Sequence, residues 1–359
     1  MPKNIFNFSA GPALIPNSVI EKIHLGLDDF DRGMSVIEVS HRSKAFKEYA
    51  HSSESSLRQL LNINDEYSVL FLQGGATHQF ALIPMNFSSN EGVLDYLVTG
   101  AWSKKASNYA SKIANVNIVS DSTSNNFTNV ADSNSWNFTK GADYFFYCAN
   151  ETVHGLEIHE PIESESPVIC DMSSTIASRP IDINKYDLIF AGAQKNLGIA
   201  GLTIVIAKKT LLSEVNQELL PMLDYSVHAG EASMLNTSPV FAWYVSGLIF
   251  DWIREQGGVE IMSQLNKEKS SLLYNYIDQS SFYSNPVADR YRSWMNIPFK
   301  LNREDLDDEF LQSAEEEGLL NLKGHRTVGG MRASVYNAMP IEGIMKLIAF
   351  MDEFSKLHE

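Results

Sequence analysis

The regular alternation of short apolar runs with longer helical segments is the feature that most constrains the fold of this chain. The apolar runs are bounded by turn residues, whereas segments such as Lys47–Leu61 and Thr77–Met85 show helical periodicity. Because parallel strands need a long crossover between them, this order predicts βαβ units and a largely parallel sheet. The predicted strands are Tyr67–Gln73, Val93–Thr99, Val116–Val119, Tyr144–Ala149, Val168–Cys170, Leu188–Ala191 and Leu202–Ala207.

The last two of these runs, Leu188–Ala191 and Leu202–Ala207, are joined by a short loop. A parallel crossover requires about a dozen residues or more, usually including a helix, so one of these two strands should run antiparallel. Residues 120–139 are rich in Ser, Asn, Asp and Thr, a composition that is typical of a solvated connection or a weak strand pair.

A change of pattern after Gln256-Gly257-Gly258 indicates a second, smaller unit. We predict a large domain over residues 16–258 and a small α+β domain over residues 259–359, with the N-terminal segment 1–15 packed near the small domain. The elements predicted in the smaller unit are helix Val259–Asp278, strand Ser293–Phe299, helix Glu304–Glu317, strand Arg332–Val335 and helix Ile341–Leu357.

Composition limits the classes of protein to which this chain can belong. The 28 basic and 44 acidic residues give a formal charge of −16, which argues against nucleic acid or an anionic membrane as a partner. Apolar residues make up 44% of the chain, as in globular proteins. No apolar run reaches the roughly 18 residues of a membrane span. The two cysteines lack disulfide or zinc-site spacing, and the N-terminus lacks the apolar run of a secretory signal. We therefore expect a cytoplasmic protein without a metal site.

A carboxylate and an amine follow two of the predicted strands. Val168–Cys170 runs into Asp171, and Leu188–Ala191 leads to Lys195 in AGAQKNLG. Open α/β sheets bind ligands at the carboxyl ends of their strands, so both side chains should lie at the same edge. Pyridoxal phosphate (PLP) needs such a pair, a lysine for its Schiff base and an acid beside its pyridine nitrogen. From the spacing alone, a structural ion pair and a surface lysine remain the alternative.

Three segments around this pair closely resemble the phosphoserine aminotransferase family of class-V, PLP-dependent enzymes: DMSS, SRPIDINKYD and GAQKNLGIAGLTIVI. The resemblance implies fold type I of the PLP-dependent transferases. In that fold the large α/β domain has a mostly parallel seven-stranded sheet flanked by helices, and the C-terminal domain is a smaller α+β unit. It also implies a homodimer with shared active sites. The other matching segments are NFSAGPALIP, SHRSKAF, LQGGATHQF, TGAWSKKA, NETVHGLE, NTSPVFAWYVSGLIFDW and GHRTVGGMRASVYNAMP.

The resemblance implies a role for several residues toward the cofactor. Lys195 would form the Schiff base and shuttle a proton, and Asp171 would pair with the pyridine nitrogen. Trp102 would stack on the ring, and Thr152 would donate a hydrogen bond to the ring hydroxyl. The Gly-Gly turn before the helix in LQGGATHQF would present backbone N–H groups to the phosphate. The implied phosphate contacts are Ala76, Thr77 and Gln194 from one subunit, with Asn236 and Thr237 from the other.

For the substrate, the resemblance implies a set of basic side chains, since guanidinium groups suit both phosphate and carboxylate. Arg332 would hold the α-carboxylate. The pairs His41-Arg42 and His325-Arg326 would bind the substrate phosphate or the side-chain carboxylate of glutamate. Some of these groups would come from the second subunit.

One departure from the family pattern concerns a charged residue near the substrate phosphate. Some members carry an arginine after the glycines of LQGG, where this chain has Ala76-Thr77. Its absence leaves the substrate phosphate to Arg42, His325 and Arg326.

The resemblance implies reversible amino transfer between glutamate and 3-phosphohydroxypyruvate, which yields 3-phosphoserine and 2-oxoglutarate in serine biosynthesis. Many bacterial members also act on the phosphorylated hydroxythreonine precursor of vitamin B6, and that activity stays open here. An alanine–glyoxylate or serine–pyruvate aminotransferase is the nearest alternative. Its substrates lack a phosphate, so the pair His325-Arg326 in the GHR segment would have no phosphate to bind. A cysteine desulfurase is less consistent, since Cys148 and Cys170 lie in or beside predicted strands. A non-catalytic PLP-binding protein would be expected to lack Lys195 or Asp171.

Overall fold

A computed structural model describes residues 5–216 and 218–358, and a seven-stranded sheet is its largest feature. The strands are β1 (Phe6–Asn7), β2 (Tyr67–Gln73), β3 (Val93–Val98), β4 (Asn115–Asp121), β5 (Tyr144–Cys148), β6 (Asn150–Glu151), β7 (Leu156–Glu157), β8 (Val168–Asp171), β9 (Leu188–Gly192), β10 (Leu202–Lys208), β11 (Tyr283–Ser284), β12 (Asn296–Leu301), β13 (Leu319–Leu320) and β14 (Met331–Ser334). The large sheet has the order β2-β10-β9-β8-β5-β3-β4. Strand β10 runs antiparallel to both its neighbours, and the other pairs are parallel. The prediction of a mostly parallel sheet with one antiparallel strand is confirmed.

Helices pack around this sheet and around the smaller sheet near the C-terminus. They are α1 (Asn17–Asp28), α2 (Lys44–Leu61), α3 (Ala76–Phe87), α4 (Ala101–Ala110), α5 (Lys209–Leu212), α6 (Tyr225–Gly230), α7 (Val240–Glu255), α8 (Gly258–Gln279), α9 (Asp307–Glu316) and α10 (Ile341–His358). Helix α2 begins after Ser43, whose side chain accepts a hydrogen bond from the Phe46 N–H, and ends at Asn62 in the left-handed conformation. The helices predicted over Lys47–Leu61 and Thr77–Met85 begin later than α2 and α3 do, because hydrophobic periodicity does not mark the capping residue that precedes a helix. Among the described residues, no helix is long and apolar enough to cross a bilayer.

Both faces of the large sheet are buried, as parallel strands flanked by helices require. On one face Phe71 of β2 stacks on Trp243 of α7, with ring centroids 4.3 Å apart. On the other face Phe80 of α3 packs edge-on against Phe146 and Phe190 of the central strands. Packing on both sides leaves the strand ends as the places where polar groups can gather.

A separate apolar core surrounds the three-stranded sheet β11-β12-β14 near the C-terminus. Phe6 and Phe8 of the N-terminal segment belong to this core, and β1 pairs in parallel with β13. Helix α8 contributes to both regions, with Val259 in the core of the large sheet and Leu273 in the smaller core. The domain boundary at 258 and 259 stays a prediction.

Two elements predicted in the C-terminal region differ from the structure. The strand predicted over Ser293–Phe299 begins only at Asn296, because the Ser293 hydroxyl accepts hydrogen bonds from the N–H groups of Met295 and Asn296 and forms a turn. The helix predicted over Glu304–Glu317 opens with a 3-10 turn, Glu304–Leu306, before α9 begins.

Candidate active site

The carboxyl ends of four adjacent strands bring the predicted cofactor residues together. Strand β8 ends at Asp171 and β9 leads through a tight turn to Lys195, while Thr152 follows β5 and Trp102 follows β3. These strands are consecutive in the sheet, so residues far apart in sequence meet at one edge.

Asp171 and Lys195 influence each other's ionisation at this edge. Asp171 is buried, and its Oδ1 accepts hydrogen bonds from the N–H of Ser173 at 2.9 Å and from its hydroxyl at 2.6 Å. Burial raises the pKa of Asp171, and the charge of Lys195 and the Ser173 hydrogen bonds oppose that rise. Burial lowers the pKa of Lys195, against the opposing effect of Asp171. Desolvation therefore favours the neutral, nucleophilic form of the lysine amine.

The N-terminal loop covers the stem of Lys195. Gly11 has a φ of +131°, and a Cβ there would lie 3.3 Å from Lys195 Cγ. The N–H of Ala13 donates to the carbonyl of Gln194 at 2.9 Å. The NFSAGPALIP segment thus packs directly on the turn that carries the lysine.

Trp102 lies in the first turn of α4, with its ring beside the lysine. The ring centroid is 5.9 Å from Lys195 Nζ. The indole N–H donates to the hydroxyl of Thr152 at 2.8 Å, so Thr152 orients the ring. A fixed indole face next to a reactive amine is suited to stacking on an aromatic ligand.

Glu151, which the sequence analysis did not single out, holds the start of α4. It is fully buried and accepts hydrogen bonds from the N–H groups of Trp102 and Ser103, both at 2.8 Å, and from the Ser103 hydroxyl at 2.6 Å. The first N–H groups of a helix have no partner within it, so Glu151 caps α4 from a different part of the chain. In the sequence, the indication that Glu151 belongs to the site was its position next to Thr152 in NETVHG.

The turn between β2 and α3, which we call the cradle, is where the sequence predicts phosphate contacts. Gly74 has a φ of +104°, and Gly75 is the extended residue at which α3 begins. The first N–H groups of the helix, including those of Ala76 and Thr77, lack partners within it and are suited to an anion. A Cβ built on Gly75 meets no atom within 4 Å, so the space in front of this turn is open.

Lys105 connects this cradle to the Trp102 ring. Its Nζ lies 3.3 Å from Thr77 Oγ1 and 5.4 Å from the Trp102 ring centroid. The helix start and the indole therefore border the same space. Gln194, the residue before the lysine, folds back so that its Oε1 would lie 2.7 Å from a Cβ on Gly192.

Arg332 reaches the site from β14 of the smaller sheet. Its Nη1 lies 3.4 Å from the carbonyl of Thr152, and its buried Nε has no hydrogen-bond partner. Burial lowers the pKa of Arg332. A guanidinium with an unused buried donor can hold a carboxylate.

The predicted pair His325-Arg326 lies near Arg332, on an exposed loop. Burial, and then the charges of Arg332 and Arg326, lower the pKa of His325. His154, also missed in the sequence, packs against Phe127 with ring centroids 4.5 Å apart. Burial and the charge of His325 lower the pKa of His154 to about 4, so it is neutral at pH 7.

The other predicted pair, His41-Arg42, lies in a different part of the chain. Arg42 is exposed and lines a cavity of about 430 Å³ together with Gly230 and Trp243. His41 is buried, and its Nε2 has no hydrogen-bond partner. Burial lowers the pKa of His41, with smaller effects from Arg42 and Lys47.

Asn236 makes its contact at the end of β2, where the turn to α3 begins. The side-chain amide of Asn236 donates to Gln73 Oε1 at 2.8 Å, at the end of β2, and Thr237 is exposed. Within the described residues, none of the contacts of these two residues or of His41-Arg42 involves Lys195.

Comparison with known proteins gives a consistent set of relatives. Residues 5–347 match the family model described as Aminotransferase class-V. The chain is 48% identical to the phosphoserine aminotransferase of Ectopseudomonas mendocina over 100% of both chains. The solved phosphoserine aminotransferase from Bacillus circulans subsp. alkalophilus is 40% identical, with a TM-score of 0.97 over 99% of each chain. The PLP-bound phosphoserine aminotransferase from Trichomonas vaginalis is 38% identical, with a TM-score of 0.92 over 97% of this chain and 100% of that chain.

Proposed function

The chain belongs to the class-V aminotransferase family, and we propose that it transfers an amino group reversibly between L-glutamate and 3-phosphohydroxypyruvate. The products are 2-oxoglutarate and 3-phospho-L-serine, in a step of L-serine biosynthesis. The observation that carries the proposal is the meeting of Lys195, Asp171 and Trp102 at one sheet edge, next to the basic residues Arg332 and His325.

The residues at this edge fit PLP by their chemistry. Both hydrogen bonds from Ser173 go to Oδ1 of Asp171, which leaves Oδ2 for a protonated pyridine nitrogen. Lys195 supplies an amine of lowered pKa for the aldehyde, and Trp102 supplies a ring face. The open space at Gly75 and the free N–H groups behind it suit the phosphate. PLP, when bound, accepts the amino group of one substrate and passes it to the next, so both half-reactions share one pocket.

Lys195 is the residue that we propose moves the proton. Burial favours the neutral form of its amine, so with PLP bound Lys195 would be the group that takes up a proton from Cα of the amino donor and returns it in the following step. The Trp102 ring, held by Thr152, fixes the orientation of the reacting groups and excludes water from the face on which it stacks.

Arg332 and the GHR loop would set the substrate specificity. The buried Arg332 guanidinium can bind the α-carboxylate, since its Nε has no protein partner. The exposed His325-Arg326 pair can reach the phosphate of phosphoserine or the distal carboxylate of glutamate. This basic pair gives phosphorylated substrates an advantage over serine or alanine.

We also propose a homodimer in which each site is completed by the second subunit. Within the described residues, no contact of His41, Arg42, Asn236 or Thr237 involves Lys195. A symmetric dimer would allow them to reach the partner's site. A cytoplasmic location and the absence of nucleic-acid and membrane partners stay predictions, and activity in the vitamin B6 branch stays open.

A cysteine desulfurase is disfavoured by the positions of both cysteines. Cys148 lies in β5 and Cys170 in β8, and both are buried. Burial raises the pKa of each thiol, which disfavours the thiolate that such an enzyme needs.

The test is a panel of single half-reactions with PLP-loaded enzyme. Phosphoserine, glutamate, serine and alanine are each added alone, and the keto acid released per active site is measured. We expect about one equivalent from phosphoserine and from glutamate, with much slower release from serine and alanine, because only the first two have a second anionic group. Lys195→Ala is the control and should release none. Equal rates with serine and phosphoserine would instead favour the alanine–glyoxylate type of activity.

A further inference from the structure

The phosphate cradle at the start of α3 contains no cationic side chain of its own. Residues 73–77 read Gln-Gly-Gly-Ala-Thr, so the donors that this turn contributes are backbone N–H groups, the Gln73 side-chain amide and the Thr77 hydroxyl, and none of them is charged. A phosphate monoester carries close to two negative charges near neutral pH, and N–H groups alone leave that charge poorly balanced.

Lys105 brings a positive charge to this turn from a neighbouring helix. It lies three residues after Trp102 on α4, a spacing that places both side chains on the same helix face. Its Nζ is 3.3 Å from the hydroxyl of Thr77, a residue of the cradle, and 5.4 Å from the Trp102 ring centroid. The amine therefore lies between the cradle and the ring that is to stack on the cofactor.

The contacts of this amine leave its charge without a counter-ion. Besides Thr77 and Trp102, Nζ lies 5.8 Å from the ring of Tyr109, and none of these groups is anionic. Within the described residues Lys105 forms no ion pair. A half-buried lysine that has no carboxylate partner and contacts the first turn of a helix is arranged to meet an anion.

The preceding lysine, Lys104, provides the contrast. It is exposed, and its Nζ points to Thr123 at 3.4 Å, on the connection after β4. Two adjacent residues of identical chemistry thus face different surroundings, and only Lys105 faces the cradle.

We propose that Lys105 is a cofactor-binding residue whose ammonium group balances the charge of the PLP phosphate held at the start of α3. This inference rests on the proposed PLP-dependent function. Lys105 then supplies from α4 the positive charge that the Ala76-Thr77 turn does not contain. Lys105 also couples the phosphate site to Trp102, because Lys105 and Trp102 lie on one turn of the same helix.

The experiment compares the affinity of the cofactor-free, full-length protein for PLP with its affinity for pyridoxal, which lacks the phosphate. Both ligands are titrated by absorbance and by quenching of tryptophan fluorescence. A charge-assisted contact contributes about tenfold or more in affinity, so Lys105→Gln should weaken PLP binding by about that factor. Its affinity for pyridoxal should stay close to that of the wild type. Lys104→Gln is the matched control and should change neither affinity, and Lys105→Arg should retain most of the preference for PLP.

Each other outcome contradicts the proposal in a distinct way. An equal loss of affinity for PLP and pyridoxal would mean that Lys105 acts only by supporting Trp102. Unchanged PLP affinity with weaker phosphoserine turnover would place its charge at the substrate phosphate instead. If the wild-type protein bound neither PLP nor pyridoxal, this inference and the proposed function would both be wrong. If the wild type bound PLP and Lys105→Gln bound it equally well, only the proposed role of Lys105 would be wrong, and the proposed function would stand.

Discussion

Buried ionisable side chains are stabilised individually in this protein, each by its own set of partners. Glu151 has three hydrogen-bond donors, and Asp171 has the Ser173 hydrogen bonds and a nearby amine. Lys269 of α8 is buried too, and its Nζ lies 2.9–3.2 Å from three main-chain carbonyl oxygens, those of Val335, Tyr336 and Met339. These carbonyls follow β14, so Lys269 supports the strand that carries Arg332.

The titration of Lys269 should make the stability of the protein depend on pH. Burial lowers its pKa from 10.5 to about 7. Between these values the unfolded chain binds the proton and the folded chain does not, so stability rises with pH and is lost as the pH falls toward 7. The unfolding free energy of the wild type, measured relative to Lys269→Met, should rise by up to about 1.4 kcal/mol per pH unit between roughly pH 7 and 10.

Urea unfolding at several pH values measures this difference, because titrations shared by both proteins cancel. Lys267→Met, on the exposed side of the same helix, is the control for removing a lysine from α8. A difference that stays constant over this range would mean that Lys269 keeps its ordinary pKa.

At the scale of elements, the start of α4 is where secondary structure and the site meet. The helix has no side-chain cap of its own at Gly100, and Glu151 from β6 caps it instead. A Cβ on Gly100 would overlap the Glu151 carboxyl group. The glycine is therefore required by the approach of a second element and not by its own backbone angles, which are extended.

Gly100→Ala should destabilise the protein by about 1–3 kcal/mol, because Glu151 is buried and cannot move aside without losing hydrogen bonds. Thermal or urea unfolding measures the loss. Gly230→Ala at the end of α6 is the control, since a Cβ there meets no atom within 4 Å. Equal stabilities of the two variants would contradict this account of the α4 cap.

At the scale of the whole molecule, the proposed dimer explains why some predicted site residues lie apart. Arg42 borders a cavity with Gly230 and Trp243, while Arg332 and Lys195 lie at the sheet edge. In a symmetric dimer, each site would use Lys195 of one chain and Arg42 of the other.

Mixing two defective variants tests this arrangement. Lys195→Ala should be inactive and Arg42→Ala weakly active with phosphoserine, whereas random mixing after dissociation should restore about a quarter of the wild-type activity, because half of the dimers would contain one intact site. Amino transfer from phosphoserine is the measurement. Activity no higher than the sum of the two separate variants would mean that Arg42 serves the site of its own chain.

The sequence was most informative where the pattern is local. Strand β2 was predicted at its observed bounds, and the antiparallel β10 followed from the short loop before it. Asp171 and Lys195 were identified because each follows an apolar strand. Glu151 was missed, since its position next to Thr152 does not reveal that it caps a helix about fifty residues earlier in the chain.

The sequence by itself therefore determined the strand and helix order, the mostly parallel sheet and the residue types available to hold PLP. Hydrophobic periodicity and turn residues act over a few neighbours and can be recognised without a structure. Only the tertiary structure decided that Lys105 faces Thr77 while Lys104 faces Thr123, and that Glu151 caps α4. These contacts depend on how α3, α4 and β6 pack together, and the spacing of residues along the chain does not encode that geometry.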